Sequence, residues 1–184
     1  MDWIPLLTAQ IEGTYRAADG LMKLVKKDDL AWKPKTGKNW MTTAQLLEHI
    51  TNACGWCISC FVSGNWAPPT PPAGKASKKK GAEPKPDPKT GMLPAEALPA
   101  VKSVAEARKK LAADKQVALD ALAKVGERGL NETLVDAPWA PGVKKPLGQH
   151  ALEMVSHLAQ HKSQLYYYLK LQGKPVNTMH LWGM

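Results

Sequence analysis

The sequence predicts an all-α protein, a four-helix bundle in a single domain that spans residues 1–184. Two observations carry this prediction. Four stretches of the chain place apolar residues at three- and four-residue steps, the spacing that puts them on one face of a helix. No stretch shows the alternation of apolar and polar residues that is typical of a half-buried strand. Helices with one apolar face bury that face against one another, so four of them favour a bundle.

The first two predicted helices lie in the first third of the chain. Helix one runs from Trp3 to Lys27, with apolar residues at Leu7, Ile11, Tyr15, Ala18, Leu21, Met22 and Val25. Thr42 and Gln45 have the spacing of a capping box, in which each side chain binds a main-chain N–H at the start of a helix. Helix two is therefore predicted to begin there and to continue to about Val62. Its apolar residues are Leu46, Leu47, Ile50, Ala53, Cys57 and Phe61.

Residues 63–100 interrupt the helical pattern. Nine prolines lie between Ser63 and Pro99, together with a run of three lysines and few large apolar side chains. Such a segment buries too little apolar surface to offset the entropy of ordering it. We expect a long loop or a partly disordered insertion between helices two and three. A connection of this length can lead the chain back along the bundle, which allows these two helices to be parallel.

Two further helices are predicted after this insertion. Ser103 and Glu106 form a second possible capping box. The third helix then continues to Gly126 through Val104, Leu111, Ala118, Leu122 and Val125. The fourth helix contains Leu147, Ala151, Met154, Leu158, Leu165 and Leu169. Gly173 and Pro175 end it in the order expected after a helix C-terminus.

The chain is basic, with a formal net charge of +9 and a pI near 9.5. Six lysines between Lys75 and Lys89 face only Glu83 and Asp87, so this segment carries +4 of that charge. We interpret it as a solvated loop rather than a nucleic-acid site, because no nucleic-acid-binding motif is present and one Phe is available for stacking. A binding tail acting through Lys78–Lys80 remains an alternative.

The composition also bears on location. No apolar run approaches the roughly 18 to 20 residues of a membrane span, and the first residues lack the features of a signal peptide. Three cysteines are an odd number. We therefore expect a cytoplasmic protein with no membrane segment.

His157 and His161 are the first candidate functional residues. Their four-residue spacing on a helix separates their directions by about 40° and their α-carbons by about 6 Å along the axis, so both can reach one ion. Both interrupt the apolar face of the fourth helix, since His161 lies between Leu158 and Leu165. His49 has the same phase on helix two, three residues after Leu46. Inward polar groups need a partner, a water or a metal. A surface or core-edge histidine pair remains the alternative interpretation.

These histidines lie in segments that resemble a known family. Trp40, Thr42 and the run Leu46–Ile50 are similar to the first signature of the DinB/YfiT-like metalloenzyme family. The run from His157 to Leu165, followed by Tyr168-Leu169 and Gly173-Lys174-Pro175, is similar to the second. The resemblance extends from helix one to about Val176 and leaves out the Pro/Lys-rich insertion.

The resemblance implies a four-helix bundle with up-down-down-up connectivity, frequent homodimers, and a three-histidine site for one divalent metal ion. That site corresponds to His49, His157 and His161. Zinc, nickel, iron and manganese are all candidates, because imidazole nitrogen suits several ions. The family often has another His or an Arg after its last ligand, where this chain has Lys162 and Ser163. This difference puts the outer part of the pocket in doubt.

Three histidines leave coordination positions open, which favours catalysis on a small-molecule substrate by a metal-bound water or thiolate. The resemblance implies a transferase or isomerase that uses a low-molecular-weight thiol such as bacillithiol or mycothiol. Another metal-dependent transferase or hydrolase activity is an alternative. Gln164, Tyr168 and Asn52 are possible helpers that orient ligands or substrate. The alternatives are a metal-binding stress-related module without turnover and a partner-binding protein that uses its basic loop.

Other residues could also carry chemistry. The spacing of Cys54, Cys57 and Cys60 is similar to that of iron–sulfur ligands, but the fourth cysteine is missing and we interpret all three as small buried residues. A redox or nucleophilic role for Cys57, facing the metal cavity, is the alternative. His150 is too far along the helix to share the ion and is expected at a cavity mouth. Glu153 could support a ligand from behind or lie at the surface.

Overall fold

The computed structural model describes residues 2–67 and 93–184, and most of these are helical. The α-helices are α1 (Trp3–Met22), α2 (Thr43–Ile50), α3 (Gly55–Ser63), α4 (Val104–Glu132), α5 (Leu147–Leu171) and α6 (Thr178–Trp182). Short 3-10 helices cover Lys27–Ala31 and Ala95–Ala97, and two antiparallel strands are β1 (Leu134–Ala137) and β2 (Ala140–Pro146). The prediction of a mainly helical protein is confirmed. Most of the predicted insertion, with all six lysines of its basic part, lies outside the described residues.

The helices share one core of buried apolar side chains. Leu7 and Ile11 of α1 and Leu158 and Leu165 of α5 are fully buried, as the predicted apolar faces require. α1 packs against α4 and α5, and α2 packs against α5. This packing brings together the two helices that carry the three candidate ligands. Within the described ranges, no helix is long and apolar enough to cross a membrane.

The predicted second helix is broken, which corrects the sequence prediction. Residues 51–54 form a turn between α2 and α3. The carboxylate of Asp114 in α4 accepts hydrogen bonds from the main-chain N–H groups of Gly55 (2.9 Å) and Trp56 (2.8 Å). A carboxylate at these positions satisfies free N–H groups and complements the helix dipole, so it favours a new helix start at Gly55.

Asp114 is buried and is held by a third donor. The Tyr15 hydroxyl donates to the carboxylate over 2.5 Å. Burial raises the pKa of Tyr15, so the phenol keeps its proton and remains a donor. Burial also raises the pKa of Asp114, while its hydrogen bonds act in the opposite direction. The Tyr15–Asp114 pair thus fixes the start of α3 from two other helices.

A short hairpin replaces part of the connector before α5. β1 pairs with β2 from Leu134↔Pro146 to Asp136↔Lys144, and the register shifts between Asp136 and Ala137. The expectation that the chain has no strand is wrong here. Pro138, Pro141 and Gly142 lie within the hairpin, so its short strands show no clear alternation and look like a loop. Gly126, the predicted end of helix three, is a non-helical position with φ 68°, and helical turns resume after it.

Candidate metal centre

The three histidines meet between α2 and α5. The Thr42–Gln45 capping box is present as predicted and fixes the start of α2. Leu46, one turn before His49, is fully buried, so the helical phase places His49 on the inward side of α2, which packs against α5. His157 and His161 lie one turn apart on α5 and face the same space. All three side chains are partly buried.

The Nε2 atoms of the three rings converge. His161 Nε2 lies 3.0 Å from His49 Nε2 and 3.0 Å from His157 Nε2, and the third distance is 3.4 Å. Two imidazole nitrogens bound about 2.0–2.1 Å from one ion are about 2.9 Å apart at a right angle and about 3.4 Å apart at a tetrahedral angle. The observed separations cover the same range. The three histidines therefore form a group that could hold one metal ion.

The tautomer of His157 follows from its other ring nitrogen. His157 Nδ1 lies 3.1 Å from the main-chain oxygen of Ala53, which can only accept a hydrogen bond. In the neutral ring, Nδ1 then carries the proton and Nε2 presents a lone pair to the other histidines. Ala53 lies in the turn between α2 and α3. The helix break that Asp114 stabilises thus provides the acceptor that orients His157.

A chain of hydrogen bonds fixes the tautomer of His161 in the same way. The Tyr168 hydroxyl donates to the main-chain oxygen of Met41 over 2.9 Å, so it can accept from the Gln164 amide nitrogen at 3.4 Å. This orientation turns Gln164 Oε1 toward His161 Nδ1, at 3.0 Å. His161 Nδ1 therefore donates, and its Nε2 presents a lone pair. Outer acceptors of this kind commonly orient metal-binding imidazoles.

The electrostatics of the three rings also suit a cation. The Nε2 lone pairs of His157 and His161 face each other at 3.0 Å, a repulsive arrangement that either a bound cation or a proton on His49 Nε2 would relieve. Burial lowers the pKa of His49 to about 4, with smaller contributions from His161 and His157. Burial likewise lowers the pKa of His161. Neutral imidazoles near neutral pH are the form that binds metal.

The predicted helper residues have different positions. Gln164 and Tyr168 belong to the hydrogen-bond chain behind His161. Asn52 is exposed in the turn after α2, where its main-chain oxygen accepts a hydrogen bond from the Cys57 thiol (3.8 Å). Its main-chain N–H donates to the His49 main-chain oxygen (3.3 Å), but among the described residues its side chain forms no hydrogen bond with the three histidines. Lys162 points away from the site, because its Nζ donates to the Leu181 main-chain oxygen over 2.7 Å.

His150 and Glu153 lie outside the centre. His150 is buried, stacks on Phe61 with ring centroids 4.2 Å apart, and approaches the Val135 main-chain oxygen at 3.0 Å. The expectation that it lines a cavity mouth is wrong, because the hairpin that covers it was not predicted. Glu153 forms an ion pair with Lys145 at 2.6 Å rather than supporting a ligand.

The three cysteines are buried, as predicted. Burial raises the pKa of Cys54 and of Cys57 to about 12, which disfavours a nucleophilic thiolate at either position.

Sequence reasoning missed the two main-chain oxygens that orient the rings, those of Ala53 and Met41. A main-chain acceptor leaves no residue-type signal in a sequence. The Cys54-Gly55 step inside an apolar helical run is the one local sign of the break, since glycine disfavours a helix interior.

The fold and the site together define a mostly helical protein with a three-histidine group that could hold a metal ion. The chain belongs to the DinB superfamily, because the sequence model of that family matches residues 10–165, a span that includes all three histidines. No curated protein matches the chain. No solved structure matches it either.

The Gln164 relay leads to a first prediction. Gln164→Leu removes the acceptor of His161 Nδ1, and loss of such an outer partner typically lowers metal affinity about 10- to 100-fold. We expect a decrease of that size when Zn²⁺ or Ni²⁺ affinity is measured by competition with a chelator. Gln160→Leu is the matched control, because Gln160 is an exposed glutamine on the same helix. Equal affinities for the two variants would show that the relay does not support the site.

Proposed function

We propose that this protein is a metal-dependent enzyme, a transferase or isomerase whose reaction uses a low-molecular-weight thiol. The observation that carries the proposal is the set of three converging Nε2 atoms, two of which present lone pairs fixed by outer acceptors. Three protein ligands leave a coordination position free, as in catalytic sites, whereas structural sites are usually closed by four. Membership of the DinB superfamily supports the same assignment.

In this proposal, a bound divalent ion lowers the pKa of a thiol or water at the free position. The role of the chain is to hold and orient the ion. The Ala53 main-chain oxygen accepts a hydrogen bond from His157 Nδ1–H, and Gln164 Oε1 accepts one from His161 Nδ1–H. Both Nε2 atoms therefore keep a lone pair that can bind the ion. The Met41 main-chain oxygen cannot donate, so it fixes the Tyr168 hydroxyl as the donor to Met41 and as the acceptor for Gln164.

The arrangement of the whole molecule is part of the proposal. We infer a single-domain four-helix bundle with up-down-down-up connectivity, in which α2 and α3 together form the second helix. The single core shared by α1, α2, α3, α4 and α5 supports it. A cytoplasmic homodimer is the expected state, in line with the family resemblance.

Reconstitution with defined metals tests the activity. Metal-free protein is loaded with zinc, nickel, iron(II) or manganese(II), and conjugation of 1-chloro-2,4-dinitrobenzene by cysteine, glutathione, bacillithiol or mycothiol is followed. Each turnover forms a carbon–sulfur bond and releases chloride. We expect at least about a 100-fold rate increase for one metal–thiol pair, a transition-state stabilisation of about 2.7 kcal/mol. His49→Ala should abolish it, whereas His180→Ala in α6 should not.

A metal-binding module without turnover is the second candidate. One observation favours it: among the described residues, no carboxylate forms a hydrogen bond with the three histidines, since Glu153 pairs with Lys145. The proton of the reacting thiol would therefore have to pass to the solvent. Tight metal binding with an uncatalysed rate for every metal–thiol pair would favour the module over the enzyme.

A partner-binding role for the basic segment is the remaining alternative. Lys78–Lys80 lie outside the described residues. Deletion of residues 75–89 tests this role, because unchanged retention on nucleic acid at low salt would remove its support.

A further inference from the structure

A groove of about 670 Å³ lies beside the metal centre, between the connector that contains Pro34 and Trp40 and one face of α5. Tyr167, Tyr168 and Leu171 form its apolar walls. Tyr167 and Leu171 are exposed, at 62% and 67%. No charged residue is among the described residues that line the groove.

The groove is connected to the centre through Gln164. This side chain lines the groove and also accepts the hydrogen bond from His161 Nδ1. Tyr168, whose ring lies edge-on to Trp40 with centroids 6.3 Å apart, lines the groove and accepts from Gln164. Gln164 thus lies between the groove and the Nδ1 side of His161, which faces away from the converging Nε2 atoms.

We propose that this groove binds a small neutral molecule with an aromatic or alkyl body and one hydrogen-bonding group. Its volume falls in the range of small-molecule sites, roughly 300–1,000 Å³, and its walls are mainly apolar and aromatic with a few polar groups. Offset or edge-on contacts with Trp40 and Tyr168 suit a planar ligand. A charged ligand would lose hydration without gaining an opposite charge. The site is separate from the coordination positions and does not depend on the proposed thiol chemistry.

A second cleft in the molecule differs from this groove in the charge of the residues that line it. The cleft of about 470 Å³ between α1 and α4 is lined by several charged residues. Among them, Arg108 pairs with Asp19 at 2.6 Å and Lys115 pairs with Glu12 at 3.0 Å. That cleft suits polar or charged ligands, so a neutral apolar compound is expected to select the groove beside α5.

Two dyes that differ by one charge test the proposal. N-phenyl-1-naphthylamine is neutral, and 1-anilinonaphthalene-8-sulfonate is its sulfonated analogue. We expect the full-length protein to bind the neutral dye at least about tenfold more tightly in fluorescence titrations, a difference of about 1.4 kcal/mol. If the sulfonated dye binds more tightly and Ser163→Phe, which fills the groove, weakens that binding, the assignment of a neutral ligand is overturned.

A matched pair of serine variants locates the binding. Ser163 lines the groove, whereas Ser156 is exposed two turns earlier on α5. Each hydroxyl donates to the main-chain oxygen four residues before it. Ser163→Phe should fill the groove and weaken binding of the neutral dye at least about tenfold, while Ser156→Phe should change it less than about twofold. Equal effects would contradict the proposal.

Two further measurements keep the outcome unambiguous. If Ser163→Phe does not fold, Leu171→Lys provides a second variant, because it places a charge at the exposed rim of the groove. It should lower the affinity for the neutral dye about fivefold. His161→Ala, which is expected to lose metal, should keep dye binding within about threefold, so failure of the metal site and failure of the groove are distinguishable. Loss of dye binding as the protein dimerises at higher concentration would show instead that the groove is an interface between copies.

Discussion

His161→Ala is expected to lower the affinity for a divalent ion by more than about 100-fold, a larger loss of metal affinity than we expect for Gln164→Leu. His161 is central to the site, because its Nε2 lies 3.0 Å from the Nε2 atoms of both His49 and His157. Loss of an outer partner alone typically costs about 10- to 100-fold in affinity. Loss of a nitrogen that would contact the ion directly should cost more, since only two of the three histidines of the group remain.

Metal analysis and thermal unfolding measure this effect. The wild-type protein should retain about one ion per chain after gel filtration, and an ion at 100 times its Kd should stabilise the fold by about 2.7 kcal/mol. His161→Ala should show neither the ion nor the stabilisation. His180→Ala is the control, because His180 lies in α6 and its side chain forms hydrogen bonds only with Asn177 among the described residues. An ion retained equally by both variants would contradict the assignment of His161 as a ligand.

The sequence was sufficient to predict most of the centre because helical periodicity is local. The positions of His157 and His161 within an apolar face place both rings toward the core. The phase of His49 relative to Leu46 does the same for α2. Which helices are neighbours is a tertiary property, and here the family resemblance, rather than periodicity, indicated that α2 and α5 face each other.

The local sequence carries only one weak sign of the break between α2 and α3, the Cys54-Gly55 step, because the contacts that stabilise the break are long-range. Asp114 stabilises the start of α3 although it lies 59 residues after Gly55 in the sequence. The Tyr15 hydroxyl that donates a hydrogen bond to Asp114 lies 99 residues before it. Neither contact changes the apolar pattern around residues 51–54. The main-chain oxygen of Ala53 becomes available to His157 only because the helix ends there. The orientation of a candidate ligand thus depends on a long-range hydrogen bond to a buried carboxylate.

Gly55→Ala is expected to have the largest effect on stability, a loss of about 3 kcal/mol in the free energy of unfolding. A Cβ at Gly55 would lie 1.9 Å from the main-chain oxygen of Asp114 and 2.8 Å from its carbonyl carbon. These are main-chain atoms of α4, which cannot move away as the end of a flexible side chain could. To relieve the overlap, α3 and α4 must separate, which also weakens the bonds from Gly55 and Trp56 to Asp114.

Urea unfolding of the metal-free protein measures this loss, with Gly13→Ala as the control. Gly13 lies within α1, where an added Cβ meets nothing within 4 Å. The same substitution should stabilise the protein there by about 0.5–1 kcal/mol, because alanine favours a helix interior. If Gly55→Ala has a similar small effect, the close approach of α3 to α4 is wrong. If the loss occurs, metal affinity should fall with it, because the displaced turn carries the oxygen that orients His157.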